Sequence, residues 1–195
     1  MMASDASTPG RPRSREKSRA ILEAAIDVFS ERGFDALTIE EVAARAEVGK
    51  ATVYRRWNSK EALVTEAIDT LVVPPQRADT GTVRADLVTV IETLGRFMQS
   101  TDAGRILPQI AGEVARRRPL GRLYVESIVG PRRAAVVEIL RRGIERGEIA
   151  PNIDPELVVD QLVGIIIVRR LLGVGGDLDP GRIVDQMLTG IGTAD

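Results

Sequence analysis

TIEEVAARAEVGKATVYRRW, residues 38–57, reads as two short helices joined by a tight turn. Ile39, Val42, Ala43 and Ala46 recur at the three- and four-residue spacing that lines one face of an α-helix. Thr38 followed by Glu41 has the form of a capping box, in which hydroxyl and carboxylate each satisfy a backbone N–H at the helix start. Beyond the turn, Val48, Val53 and Trp57 supply a narrow apolar edge, while Lys50, Thr52, Tyr54, Arg55 and Arg56 occupy the other sides. A helix patterned in this way buries one edge against its partner and offers the rest to an anionic surface. In a DNA major groove that surface is bases and phosphates.

Upstream, roughly from Ser14 to Arg32, Ile21, Leu22, Ala25, Val28 and Phe29 make an amphipathic stripe, and Gly33 stands where a helix C-cap is expected. Three helices in this span can enclose a small core, with Phe29, Phe34, Val42, Val53 and Trp57 as its large members. The pattern is that of a minimal three-helix DNA-binding unit.

The run AAIDVFSERGFDALTIEEVAARAEVGKATVYRRWNSKEALV, Ala24 to Val64, resembles the N-terminal domain of TetR-family transcriptional regulators. The resemblance covers about a fifth of the chain, through Phe29, Gly33, Phe34, Thr38, Ile39, Ala43, Ala46, Val48, Thr52, Tyr54, Lys60, Glu61 and Leu63 in register. Two places depart from the family pattern. Glu47, Val48 and Gly49 stand where the family usually has Gly, Val and Ser, so Glu47 is expected to avoid the left-handed conformation and alter the turn slightly. Gly in place of a Ser cap costs only a few tenths of a kcal/mol. Arg56 and Trp57 replace the common His and Phe, Trp57 keeping the aromatic core role.

The resemblance implies an all-α fold: an N-terminal helix-turn-helix domain, then a helical ligand-binding and dimerisation domain. It places Lys50, Ala51, Thr52 and Tyr54 on the DNA face, with Lys50 and Thr52 as base-edge readers and Tyr54 as a phosphate contact. Thr38 and Lys60, each at a helix start, lie where the family grips phosphate, and a helix N-terminus is itself an anion site. Arg55 and Arg56 read either as backbone contacts or as a solvated basic face.

Residues 1–10 are polar and apolar-poor, the composition of a disordered arm. Arg11, Arg13, Arg15, Lys17 and Arg19 follow against one acid, Glu16, and suit either an arm that follows a DNA backbone or enters a minor groove, or a solubilising tail. No apolar core of a signal peptide follows, so a cytoplasmic location is expected. Residues 11–59 form the expected helix-turn-helix domain and 60–195 the second domain.

Net charge is −1, with 11 basic and 9 acidic residues up to position 60 and 16 against 19 after it, so positive charge leans slightly toward the N-terminus. With no Cys and no His, disulfides, thiol switches, Cys-based zinc sites and a Ser-His-Asp triad are excluded. The Gly-rich GVGGD at 173–177 follows a helical run instead of opening one, so it is no phosphate loop. No catalytic constellation stands out, and no metal or cofactor is expected.

From Lys60 onward the pattern is helical. Asn58 or Ser59 caps a helix to about Val73, and Pro74 and Pro75 stop it before a linker to Gly81. Further helices are expected over about 83–100, 105–117, 119–146 with an interruption at Pro131, 155–172 and 180–191. The total is about nine, as the family also implies.

Residues 157–172, LVVDQLVGIIIVRRLL, are apolar nearly all round, yet too short and too polar to span a bilayer. Such a helix needs two partners. Val163, Gly164, Ile167 and Leu171, with Ile183, Val184, Met187 and Leu188, are the expected four-helix dimer interface; the other possibility is a core helix of a monomer. Leu94, Phe97, Met98, Ile110, Val114, Tyr124, Ile128 and Ile167 are candidates for a pocket, with Gln109, Glu113, Tyr124 or Arg105 as polar anchors. The same periodicity also describes ordinary core. With three Phe, two Tyr and one Trp, an aromatic cage is not expected, which points to a lipophilic effector.

The expected protein is a dimeric, ligand-responsive regulator, a repressor on a palindromic operator released by a small molecule. The alternative is a helical adaptor that docks a protein or an anionic surface through its basic N-terminal helices.

Overall fold

The computed structural model describes residues 11–100, 102–174 and 179–191, with the backbone alone at 11–13, 100, 102, 103, 105 and 191. The expected arm at 1–10, the side chains of Arg11, Arg13 and Arg105, and residues 175–177 of the Gly-rich stretch lie outside the described residues. The elements are α1 (Arg11–Ala36), α2 (Ile39–Arg45), α3 (Lys50–Tyr54), α4 (Lys60–Leu71), α5 (Val83–Ser100), α6 (Asp102–Arg116), α7 (Arg118–Tyr124), a π turn (Val125–Val129), α8 (Gly130–Glu145), α9 (Pro155–Leu172) and α10 (Pro180–Ile191). Since α7, the π turn and α8 run on without a break, the described residues form nine helical segments, the first of them kinked, and no strand.

The local signals act as their chemistry dictates. Thr38 Oγ1 accepts from the Glu41 N–H, Ser59 Oγ from the Ala62 N–H, and the Asp154 carboxylate from the Glu156 and Leu157 N–H groups. Only half of the expected capping box forms, because the Glu41 carboxylate pairs with Arg32 at 3.0 Å instead of returning to the helix start. Gly33, at φ 77°, breaks α1 as expected, and the chain continues for a short turn to Ala36. The interruption near Pro131 takes the form of the π turn: Pro131 has no N–H to donate, and the Gly130 N–H reaches back to the Val125 carbonyl.

Two apolar cores result. One holds Phe29, Phe34, Val42, Val53 and Trp57 together, as the sequence leads one to expect, with Leu63, Val64, Ala67 and Ile68 of α4. Ile110, Leu120 and Ile128 of the later helices join this same core. The other is built from α5, α8, α9 and α10 around Leu87, Ile91, Ile139, Leu140, Leu162 and Val184. Beside the second core, Asp86 is fully buried and accepts from the Thr80 N–H and hydroxyl, both at 2.7 Å, and from Arg142. These bonds pin the linker to α5 and α8.

Glu47 differs from its expectation, for it adopts φ 53°. The Val48 N–H bonds the Ala43 carbonyl and the Glu47 N–H the Ala44 carbonyl, the paired bonds of a Schellman motif. The same two bonds close α8, where Glu148 and Gly147 donate to Gly143 and Ile144 and the left-handed residue is Gly147. The geometry of the reading head therefore overrides the preference of Glu47, at a cost of about 1 kcal/mol. Replacing Glu47 by Gly is expected to raise the unfolding free energy by up to about 1 kcal/mol, read from urea midpoints at unchanged slope. Gly147→Ala is expected to lower it by a similar amount.

Candidate DNA-reading face and ligand cavity

Helix α3 is held by its apolar edge. Val53 and Trp57 are buried, and the Trp57 indole N–H donates to Glu66 of α4 at 2.7 Å. The opposite side of α3 is open: Lys50, Ala51, Tyr54, Arg55 and Arg56 are exposed and Thr52 is half-buried. Gly49 opens the helix with no side-chain cap, as its missing hydroxyl requires.

These side chains are not equally free. The Lys50 ammonium pairs with Glu40 of α2 at 2.9 Å, and this bond holds the Glu40 carboxyl below its usual range. Among the described residues Arg55 reaches only the Thr52 hydroxyl, at 3.4 Å. Arg56 donates to the carbonyl of Ser14, at 2.8 Å, and to its hydroxyl, tying the end of α3 to the start of α1. It is thus partly a structural strap, which its place in a basic run did not reveal.

Lys60, expected at a phosphate, turns its ammonium inward in the chain alone, donating to the carbonyls of Leu37 at 2.7 Å and Asp35 at 3.2 Å. It also lies 4.5 Å from the centre of the Phe34 ring, which Arg117 approaches at 4.9 Å. Burial lowers its pKa. The reason is the bend after Gly33, which leaves carbonyls pointing at the start of α4.

The second site is a cavity of about 170 Å³ among α5, α7, the π turn, α8, α9 and the segment after α4. Of the expected pocket residues, Leu94, Phe97, Met98, Tyr124, Ile128 and Ile167 line it, together with Val163, which was expected at a dimer interface. Burial raises the pKa of Tyr124. Four others do not line it. Gln109 donates to the Phe29 carbonyl at 2.8 Å, Glu113 pairs with Arg117 at 2.7 Å, and Ile110 and Val114 pack in the first core. All four sit on the face of α6 that meets the reading head, a choice that helical periodicity leaves undetermined.

Sequence reasoning missed the walls contributed by Val72 and Val73, expected as the end of a helix, by Pro74 and Gln76, which looked like a linker, and by Arg132 and Arg133. The pair of valines before the prolines was the available signal. Arg132 donates to the carbonyls of Val73 at 2.8 Å and Ile128 at 2.7 Å and to Asp69 at 3.1 Å, so one side chain joins the cavity wall to the end of α4. Arg133 is paired with Glu156 and Asp160.

The residues expected at a dimer interface do not all lie on the surface. Val184 is fully buried within the chain, and Val163 and Ile167 face the cavity. The apolar side chains that α9 leaves outside are Leu157, Ile165, Val168 and Leu172, with Val174 beyond its end. Gly164 and Leu171 beside them, and Ile183, Met187 and Leu188 on α10, are half-buried. No described helix is long and apolar enough to cross a membrane, and the described residues contain no group of acidic residues placed to hold a metal.

Two family models match this arrangement: bacterial regulatory proteins of the tetR family over residues 21–67, and the tetracyclin repressor-like C-terminal domain over residues 77–187. The chain belongs to the TetR family of transcriptional regulators. It is 35% identical over 184 residues to the uncharacterized HTH-type transcriptional regulator YdeS of Bacillus subtilis, covering 92% of this chain and 90% of that protein. Its identity to the DNA-binding transcriptional repressor TetR of Mycobacteroides abscessus is 29%, over 90% of this chain and 94% of that one. Among solved structures, the TetR family transcription regulator SCO0332 is 32% identical with a TM-score of 0.67, over 90% of this chain and 98% of its own. In this TetR-family chain the helix-turn-helix is therefore the DNA-binding element of a transcriptional regulator.

The inward placement of Lys60 has a consequence that needs no DNA to observe. Lys60→Met keeps the packed stem but removes two charged hydrogen bonds, and is expected to lower the unfolding free energy by about 1.5 kcal/mol in chemical denaturation.

Proposed function

We propose that the protein is a homodimeric repressor that reads a palindromic operator with its two α3 helices and leaves it when a small lipophilic molecule enters the cavity. The observation that carries the reading is the division of α3, with Val53 and Trp57 inside and Lys50, Ala51, Tyr54 and Arg55 outside. In a major groove Lys50 meets guanine acceptors and the Thr52 hydroxyl meets base edges, while Tyr54, Arg55 and the α2 start at Thr38 serve phosphate. Lys60 and Arg56 act by positioning the helices.

The outer stripe of α9, Ile165, Val168 and Leu172, pairs with that of a second copy, flanked by Leu171, Met187 and Leu188. A twofold axis then spaces the heads for half-sites about 34 to 36 Å apart, or a multiple of that. Repression agrees with the name of the Mycobacteroides relative.

The cavity, at about 170 Å³, is close to the roughly 150 Å³ that takes a benzene ring and below the range of about 300 to 1,000 Å³ of most ligand sites. A larger effector must move a wall. The Val72–Gln76 wall continues directly from α4, so a ligand that favours the displaced wall favours displaced heads, and binding at one site weakens binding at the other.

The test is selection of bound duplexes from a random library, then titration of selected and scrambled DNA at several salt concentrations. A repressor shows a sequence-dependent affinity ratio along with a salt slope; an adaptor shows no such ratio. Lys50→Ala and Tyr54→Ala are each expected to weaken binding to the selected duplex by about 1 to 3 kcal/mol, and an unchanged affinity removes α3 as the reader. Introducing Asp at Val168 and Leu172 is expected to give monomers in sedimentation and to lose operator binding while the far-UV spectrum stays helical; a persistent dimer places the interface elsewhere.

A further inference from the structure

The Lys50–Glu40 pair links the first turn of α2 to the first turn of α3, on the side that the proposed function turns to DNA. Both side chains are more than half exposed, 58% for Lys50 and 51% for Glu40, so this pair is no buried structural bridge. Glu41, the next acid of α2, is engaged with Arg32 and approaches Arg45, and Arg45 is paired with Glu31. Arg55, by contrast, has only the neutral Thr52 hydroxyl as partner among the described residues. The reading face thus carries one cation paired with a carboxylate, Lys50, and two, Arg55 and Arg56, whose partners among the described residues are neutral, Arg56 being tied back to α1.

We infer that Glu40 is a specificity-determining residue: its carboxylate holds Lys50 off the phosphate backbone and leaves it free for neutral acceptors on base edges. The inference rests on the DNA reading proposed above. An ammonium has three donors. It can keep one on Glu40 and direct the others at the two acceptors of a guanine edge, N7 and O6, without giving up its partner. A phosphate offers no such sharing, because its negative charge repels the Glu40 carboxylate and Lys50 must exchange one anion for another. Glu40 therefore penalises the sequence-independent mode of binding and spares the sequence-dependent one, leaving Arg55 to supply backbone attraction.

The experiment compares wild type, E40Q, K50A and the double variant by fluorescence anisotropy, on a duplex selected by the wild-type protein and on its scrambled counterpart, over a range of salt. An exposed pair sets the scale, so E40Q is expected to bind scrambled duplex about three- to fivefold tighter. Its affinity for the selected duplex should stay within twofold, and its salt slope on scrambled duplex should steepen by up to about 0.9, one further phosphate neutralised. In the K50A background the substitution should have no effect. K50A that binds the selected duplex as tightly as wild type overturns the reading of α3 itself. With that reading standing, equal tightening on both duplexes, an unchanged affinity for scrambled duplex, weakened binding to the selected duplex, or an E40Q effect that survives in K50A overturns the role of Glu40. A thermal melt of each variant keeps the comparison among equally folded proteins.

Discussion

The anchoring of α3 by Val53 and Trp57 is the constraint on which the rest of the molecule depends. A five-residue helix has no stability of its own, since nucleation is unfavourable and isolated helices shorter than about 12 residues are marginal in water. Its shape comes from the core beneath it, where Phe29, Phe34 and Val42 receive its apolar edge and the Trp57 indole is fixed to Glu66. Because so little of the helix is used for attachment, almost all of its remaining surface is available for recognition. The strained turn at Glu47 belongs to the same constraint: the angle between α2 and α3 is imposed by packing, and the backbone accommodates it.

Helix α4 carries the consequences of that anchoring to the other half of the chain. Its buried face, Leu63, Val64, Ala67 and Ile68, lies in the same core as the reading helices, its first residue Lys60 closes the corner after α1, and its last turn is held by Arg132 through Asp69 and Val73. The cavity meets α4 at that end, with Val72 and Val73 as walls. A rigid rod fixed at one end to the reading head and at the other to a cavity wall has few ways to move one without the other. The contact of α6 with α1 through Gln109, a residue expected in the pocket, and that of Arg117, just beyond α6, with Asp35 add a second tie.

How far the sequence was legible depends on how local each determinant is. The caps at Thr38, Ser59 and Asp154, the bend at Gly33 and the core set from Phe29 to Trp57 could be read directly, because they need only neighbours within a few turns or a compact three-helix unit. The pocket was read in part. Leu94, Phe97, Met98, Tyr124, Ile128 and Ile167 line it, whereas Gln109, Ile110, Glu113 and Val114 do not. Apolar spacing says that a helix has a buried face but not which neighbour the face meets. On α9 that ambiguity moved the expected outer stripe onto Val163 and Ile167, which lie inside, and away from Ile165 and Val168, which lie outside.

The sequence by itself determined the all-α architecture, the helix boundaries set by proline, glycine and capping residues, and the family of the reading head, because each is encoded in short-range patterns of side chain and backbone. Only the tertiary structure decided where charge and cavity stand. It turned Lys60 inward to two carbonyls, tied Arg56 to Ser14, set Lys50 against Glu40, and closed a cavity with residues from a linker. Those outcomes depend on which long side chains meet across elements distant in sequence. Long charged side chains reach wherever an acceptor lies, and the acceptors are placed by packing.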